Sequence, residues 1–209
     1  MTTRTPASSS RLTLTVGLCF LVALMEGLDL QAAGIAAVGI AHAFALDKMQ
    51  MGWIFSAGIL GLLPGALVGG MLADRYGRKR ILIASVALFG LFSLLCGMAT
   101  SMNMLVLFRV FLGFCGGPLM PLSQSLLLRI FPPRMAPAAI GLWSMTTLIA
   151  PVLGPIVGGW ICDEYTWHWI FLINIPVALV CAFAVWHLVR RYEQPLLKNR
   201  SEEHTSELQ

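Results

Sequence analysis

Long apolar stretches recur along the chain, separated by short segments that hold nearly all of its charge. Six runs stand out, at residues 14–38, 51–73, 81–100, 104–128, 137–161 and 169–189. Each is close to the roughly 20 residues that a helix needs to cross about 30 Å of hydrocarbon. The pattern therefore predicts an all-α polytopic membrane protein with six transmembrane helices. Arg4 and Arg11 before the first run resemble the start of a secretion signal. Glu26 interrupts that run and five further spans follow it, so it is expected to remain as an anchor.

Composition strengthens this picture. Of the 209 residues, 57% are hydrophobic and 11% charged, whereas a soluble domain carries about 25% charged residues. Mean hydropathy is +0.79. A secreted disulfide scaffold, a cytosolic enzyme and a disordered tail protein are all excluded. The net charge of +4 matters through its placement, and nucleic acid is not expected as a partner. Arg4 and Arg11 precede the first span, and Arg75, Arg78, Lys79 and Arg80 separate the second from the third. Arg129 and Arg134 separate the fourth from the fifth, and Arg190, Arg191 and Lys198 follow the sixth, while only Lys48 lies on the opposite side. By the positive-inside rule both termini are cytoplasmic, in a plasma (inner) membrane. Tyr165, Trp167 and Trp169 then fall at the outer interface, where an aromatic belt belongs.

Cys19, Cys96, Cys115, Cys162 and Cys181 are scattered through apolar runs with no CxxC and no histidine at ligand spacing, so neither a disulfide framework nor a metal site is implied. No cofactor pattern is present either. His42, His168 and His187 sit at span ends, as interfacial histidines do. Ser123 and Ser125 lack a catalytic partner at membrane depth, so an intramembrane enzyme is not expected. Gly61, Gly65 and Gly69 form a small-xxx-small ladder in the second span, with Gly58 a turn away. Gly113 and Gly117, and Gly154 with Gly158, repeat the spacing in spans four and five. Such faces let helix backbones approach closely in lipid and predict a packed bundle.

Three ionisable residues lie well inside the spans: Glu26, Asp29 and Arg109. Each costs about 2.5–3.5 kcal/mol even on the lenient insertion scale, so each needs a reason to be there. Glu26 and Asp29 are three apart and share a helix face. With span one running outward and span four inward, Asp29 and Arg109 differ in depth by about 6 Å at 1.5 Å per residue, near enough for a pair facing a central cavity. A carboxylate held by an arginine and released on protonation is what a proton-coupled carrier requires. A structural ion pair that only locks two helices is the alternative. Gln31, Ser123 and Gln124 are further polar candidates for the cavity wall.

The segment Gly70-Met-Leu-Ala-Asp74-Arg75-Tyr-Gly77-Arg78-Lys79-Arg80 is a tight basic hairpin. It resembles the signature loop of the major facilitator superfamily, in which Asp74, Arg75 and Arg78 would latch two halves and tune the inward–outward switch. Leu107-Phe108-Arg109-Val-Phe-Leu-Gly113 resembles that family's span-four motif, whose arginine is tied to proton coupling. Ala150-Pro-Val-Leu-Gly154-Pro155-Ile-Val-Gly158-Gly159 resembles the span-five motif of drug:proton antiporters. The resemblance covers about residues 11–195.

The finer resemblance changes along the chain. Up to about residue 93, including Met25-Glu26-Gly27-Leu28-Asp29-Leu30-Gln31, the sequence resembles aromatic acid:proton symporters of the hydroxyphenylpropionate-importing type. From about residue 96, including Gly117-Pro118-Leu-Met-Pro121-Leu-Ser-Gln124 and Trp167-His-Trp169-Ile-Phe171, it resembles EmrB/QacA-type drug:proton antiporters. A junction between two transporter sequences near residues 93–96 is expected on this basis. Residues 200–209 resemble translated sequencing adapter and are expected to be artefactual.

The resemblance implies a cytoplasmic tail at 1–11, the six-span N-terminal half of a major facilitator fold at 12–190 (a 3+3 inverted repeat), and a cytoplasmic linker at 191–199. The expected partners are the lipid bilayer, protons, a small organic substrate and a missing C-terminal half. Antiport of drugs or other amphipathic compounds against protons is the expected function. Aromatic acid:proton symport and a non-transporting half-bundle or chimeric fragment are the alternatives.

Overall fold

In hydrocarbon every backbone N–H and C=O must be satisfied within the protein, and an apolar run does this most simply as a helix. The structure, a computed structural model, describes residues 9–131 and 133–189. Within them the chain forms α1 (Ser9–Ile35), α2 (Ala37–Phe44), α3 (Lys48–Tyr76), α4 (Arg78–Gly97), α5 (Met102–Gly116), α6 (Leu119–Ile130), α7 (Ala136–Glu164), α8 (His168–Leu172) and α9 (Asn174–Val189). A short 3-10 turn, Pro133–Met135, precedes α7. The N-terminal tail and everything after residue 189, including the linker and the adapter-like segment, lie outside the described residues.

Six segments are long and apolar enough to cross a membrane: Val16–Ile35, Lys48–Tyr76, Arg78–Gly97, Met102–Leu128, Ala136–Glu164 and His168–Trp186. They coincide with the six predicted runs. Three of those runs are interrupted, which the hydrophobic pattern alone did not foretell. The first turns at Ala36, between α1 and α2. The fourth breaks at Gly117-Pro118, because proline lacks the N–H that would continue the ladder. The sixth breaks at Ile173, after which Pro176 takes a place in the first turn of α9, where its missing donor costs least.

The short connections carry their own stop and start signals. α2 ends on Ala45 in a left-handed conformation, φ 50°. Asp47 then caps α3, accepting from the Gln50 N–H at 2.7 Å while the Gln50 side chain accepts from the Asp47 N–H at 3.0 Å. At the other end of α3, Gly77 adopts φ 93°, a value that a side chain would strain, and turns the chain straight into α4.

α3 packs along α5, α1 along α7, and α4 between α5 and α9. The glycine ladder explains the first contact. A Cβ on Gly61 would run into the Val110 carbonyl, one on Gly65 into the Phe114 carbonyl, and one on Gly69 into the Pro118 ring. Gly113 and Gly117 answer from the facing helix, against the Gly58 and Leu62 carbonyls. Buried Phe89, Ile54, Leu82, Leu105 and Leu112 fill the centre. α7 is the most exposed span, with Leu148, Val152, Ile156 and Trp160 all outward.

Candidate functional site

α1 brings Glu26, Asp29 and Gln31 to one wall of a cavity of about 360 Å³, and α5 brings Arg109 and Gly113 to the other. Gly58, Ile59 and Phe55 of α3 and Phe89 of α4 complete it. The volume is in the range of small-molecule sites. Glu26, Asp29 and Arg109 are buried, at 3%, 7% and 3% exposure. The structure places these three charged residues along one cavity.

The direct Asp29–Arg109 ion pair that the sequence suggested does not form. Instead Glu26 Oε2, Asp29 Oδ1, Arg109 Nε and Arg109 Nη1 are all buried without a hydrogen-bond partner. Leaving such atoms unsatisfied costs about 1–3 kcal/mol each, more when charged. The guanidinium lies 5.7 Å from the centre of the Phe171 ring, over its face. Gly58 makes room for it: a Cβ there would stand 2.9 Å from Nη2. The arginine is thus held by an aromatic face and a backbone gap, leaving two of its donors unused beside two carboxylates.

Other candidates divide. Gln31 lines the cavity. Gln124 does not: it lies on α6, eight residues past Gly116 and beyond the Gly117-Pro118 break, roughly 12 Å further along the span at 1.5 Å per residue. Ser123 is buried and engaged locally, donating to the Met120 carbonyl at 2.9 Å and accepting from Trp143 Nε1 at 3.4 Å. Gly154 and Gly158 of the antiporter-like segment face α1, where their Cβ atoms would meet Gln31 at 3.3 Å and Ile35 at 2.9 Å. Gly159 meets nothing within 4 Å and Pro155 is exposed. In the hairpin after α3, Arg78 stands 3.8 Å from Asp74, an exposed pair worth about 0–1 kcal/mol. Arg75 lies over the Tyr76 ring at 5.5 Å, and Gly70 faces open space. Among the described residues no group of three or more His, Cys, Asp or Glu could hold a metal.

Phe171 and Gly58 are site residues that the sequence did not single out as such. A phenylalanine in an apolar run and a glycine in a packing ladder carry no chemical signal until the arginine is seen against them.

A bundle of six spanning helices around a charged internal cavity is the architecture of a polytopic membrane transporter. The model of the Major Facilitator Superfamily matches residues 19–209, and the chain belongs to that family, one of multi-pass membrane transporters rather than enzymes. It is 57% identical over 189 residues to the 3-(3-hydroxy-phenyl)propionate transporter of Escherichia coli K12, covering 89% of this chain and 47% of that protein. It is 39% identical over 174 residues to the multidrug export protein EmrB of the same organism, covering 83% of this chain and 34% of that one. Both similarities extend across residues 93–96, since neither could fit on one side of them. α4 also runs through Ser93 without a break. The fold matches the proton:xylose symporter XylE bound to 6-bromo-6-deoxy-D-glucose, with a TM-score of 0.77 at 15% identity, over 90% of this chain and 48% of that one. The chain thus spans less than half the length of each of these proteins.

Proposed function

We propose that the chain is the N-terminal half of a proton-coupled secondary transporter of small organic compounds, with both termini cytoplasmic in a plasma (inner) membrane. The observation that carries this reading is the cavity in which Glu26, Asp29 and Arg109 meet with unpartnered polar atoms. A lone charge at membrane depth is expensive; two carboxylates and one guanidinium are neutral together when one carboxyl is protonated and carry one negative charge when it is not, so a bound proton offsets the buried charge. Protonation of one carboxylate leaves the arginine to balance the other, or to hold an anionic substrate. The exposed Asp74 and Arg75, the half-buried Arg78 and the outward apolar face of α7 add little to the stability of this half, which suits them to meeting a C-terminal half.

Each direction of transport has its own support. Export of amphipathic compounds by antiport is supported by the segment around Gly154 and Gly158, which packs on α1 beside the cavity, and by the similarity to EmrB. Uptake of an aromatic acid by symport is supported by the higher identity to the hydroxyphenylpropionate transporter. The cavity also suits an aromatic acid: Phe55 and Phe89 line it, and Arg109 has two unpartnered donor nitrogens for a carboxylate. Symport is the reading we favour.

Joining residues 1–199 to the C-terminal half of the hydroxyphenylpropionate transporter, and reconstituting the product in vesicles, tests this. Acid-outside vesicles should accumulate labelled 3-(3-hydroxyphenyl)propionate, whereas the 209-residue chain alone should not. Expulsion of a lipophilic dye against the pH gradient, without uptake of the acid, would favour antiport. Neither activity would identify a non-transporting bundle.

A further inference from the structure

Phe171 is fully buried on α8, in the element that ends the outer part of the sixth span. Its ring supports the Arg109 guanidinium at 5.7 Å. Its own carbonyl is held by a buried polar relay. Ser93 of α4 donates its hydroxyl to the Phe171 carbonyl at 2.8 Å, and Asn174 at the start of α9 donates its amide to the Ser93 oxygen at 3.2 Å. Ser93 and Asn174 are themselves buried, at 0% and 3% exposure. Trp167 meets the Phe171 ring edge-on at 6.3 Å. A buried polar chain of three residues is costly to assemble in an apolar interior unless every member is satisfied, and it defines one geometry when it is.

We infer that Phe171, clamped by Ser93 and Asn174, is a positioning residue that holds Arg109 out of a direct ion pair with Asp29. The inference rests on the proton-coupled reading of the cavity. A guanidinium over an aromatic face keeps its charge while gaining a partner that cannot titrate. Arg109 therefore stays close enough to influence the carboxylates without closing on either. The groups set around it are Glu26 and Asp29 from α1 and the Cys96 thiol from α4, with His168 of α8 stacked on Trp167 one turn before Phe171. Removing the ring lets the guanidinium move onto Asp29, which then keeps its charge to lower pH.

Dicyclohexylcarbodiimide reacts with protonated carboxyls buried in membranes and reads this on the 209-residue chain itself. Labelling of Glu26 and Asp29 is followed against pH in lipid nanodiscs by peptide mass. In Phe171→Leu the pH of half-maximal labelling should fall by about one unit, the size expected when a carboxylate gains a close positive partner. Phe171→Tyr, which keeps a ring face, should stay at the wild-type value. Should Phe171→Leu not fold, Phe171→Met fills similar space without a ring and should give the same shift. An unchanged or raised midpoint in the ringless variant would overturn the role of Phe171. Absence of labelling in the wild type at every pH would instead sink the proton-coupled reading of the cavity.

Discussion

A guanidinium with two free donors beside two carboxylates is the chemical centre of this molecule, and its geometry depends on neighbours that carry no charge. Arg109 lies over the Phe171 ring and against the gap that Gly58 leaves. Lysine keeps the charge but has neither the plane nor the fork of donors. In the joined carrier, Arg109→Lys should lower the initial rate of proton-driven uptake by at least about tenfold, the effect of roughly 1.4 kcal/mol. A rate within twofold of wild type would mean that charge alone is enough. Glu26, Asp29 and Arg109 were legible in the sequence because an ionisable residue in an apolar run is conspicuous. Span direction and depth suggested only that Asp29 and Arg109 lie near each other. What could not be read was the partner of Arg109. Depth placed Asp29 near it, but orientation around the helix axis decides the contact, and the nearest supporting face came from Phe171, 62 residues further along the chain. Gln124 lies beyond the Gly117-Pro118 break and is not among the residues that line this cavity.

Helices here associate through backbone gaps more than through bulk. The ladder Gly61, Gly65 and Gly69 lets α3 lie directly on the carbonyls of α5, whereas Gly159 on α7 faces nothing within 4 Å. Equal substitutions should therefore have opposite effects. Gly61→Ala forces a methyl into the Val110 carbonyl and should destabilise the bundle by about 1–3 kcal/mol, as overpacking does. Gly159→Ala should be neutral or stabilising by up to about 1 kcal/mol, since alanine is the better helix former. Thermal unfolding in detergent, followed by circular dichroism, distinguishes the two; equal losses would show that the close α3–α5 approach is not what the ladder provides. The small-xxx-small spacing announced this contact, but not its partner helix. Hydropathy located all six spans within a few residues and gave no sign of the turn at Ala36 or the break at Ile173, because a run remains apolar whether or not its helix is continuous.

At the scale of the whole molecule, the bundle is asymmetric. α1 and the α5–α6 span are the more buried, and α7 turns most of its surface outward. The chain belongs to the Major Facilitator Superfamily and spans less than half the length of the hydroxyphenylpropionate transporter that it resembles. The central claim, that Asp29 couples substrate movement to protons through this cavity, predicts a separation of two activities. In vesicles bearing residues 1–199 joined to the C-terminal half of the hydroxyphenylpropionate transporter, Asp29→Asn removes the titratable group while keeping its size. Uptake driven by a pH gradient should be lost, while exchange of labelled for unlabelled 3-(3-hydroxyphenyl)propionate at equal pH should persist. Gradient-driven uptake in Asp29→Asn at the wild-type rate would contradict the account.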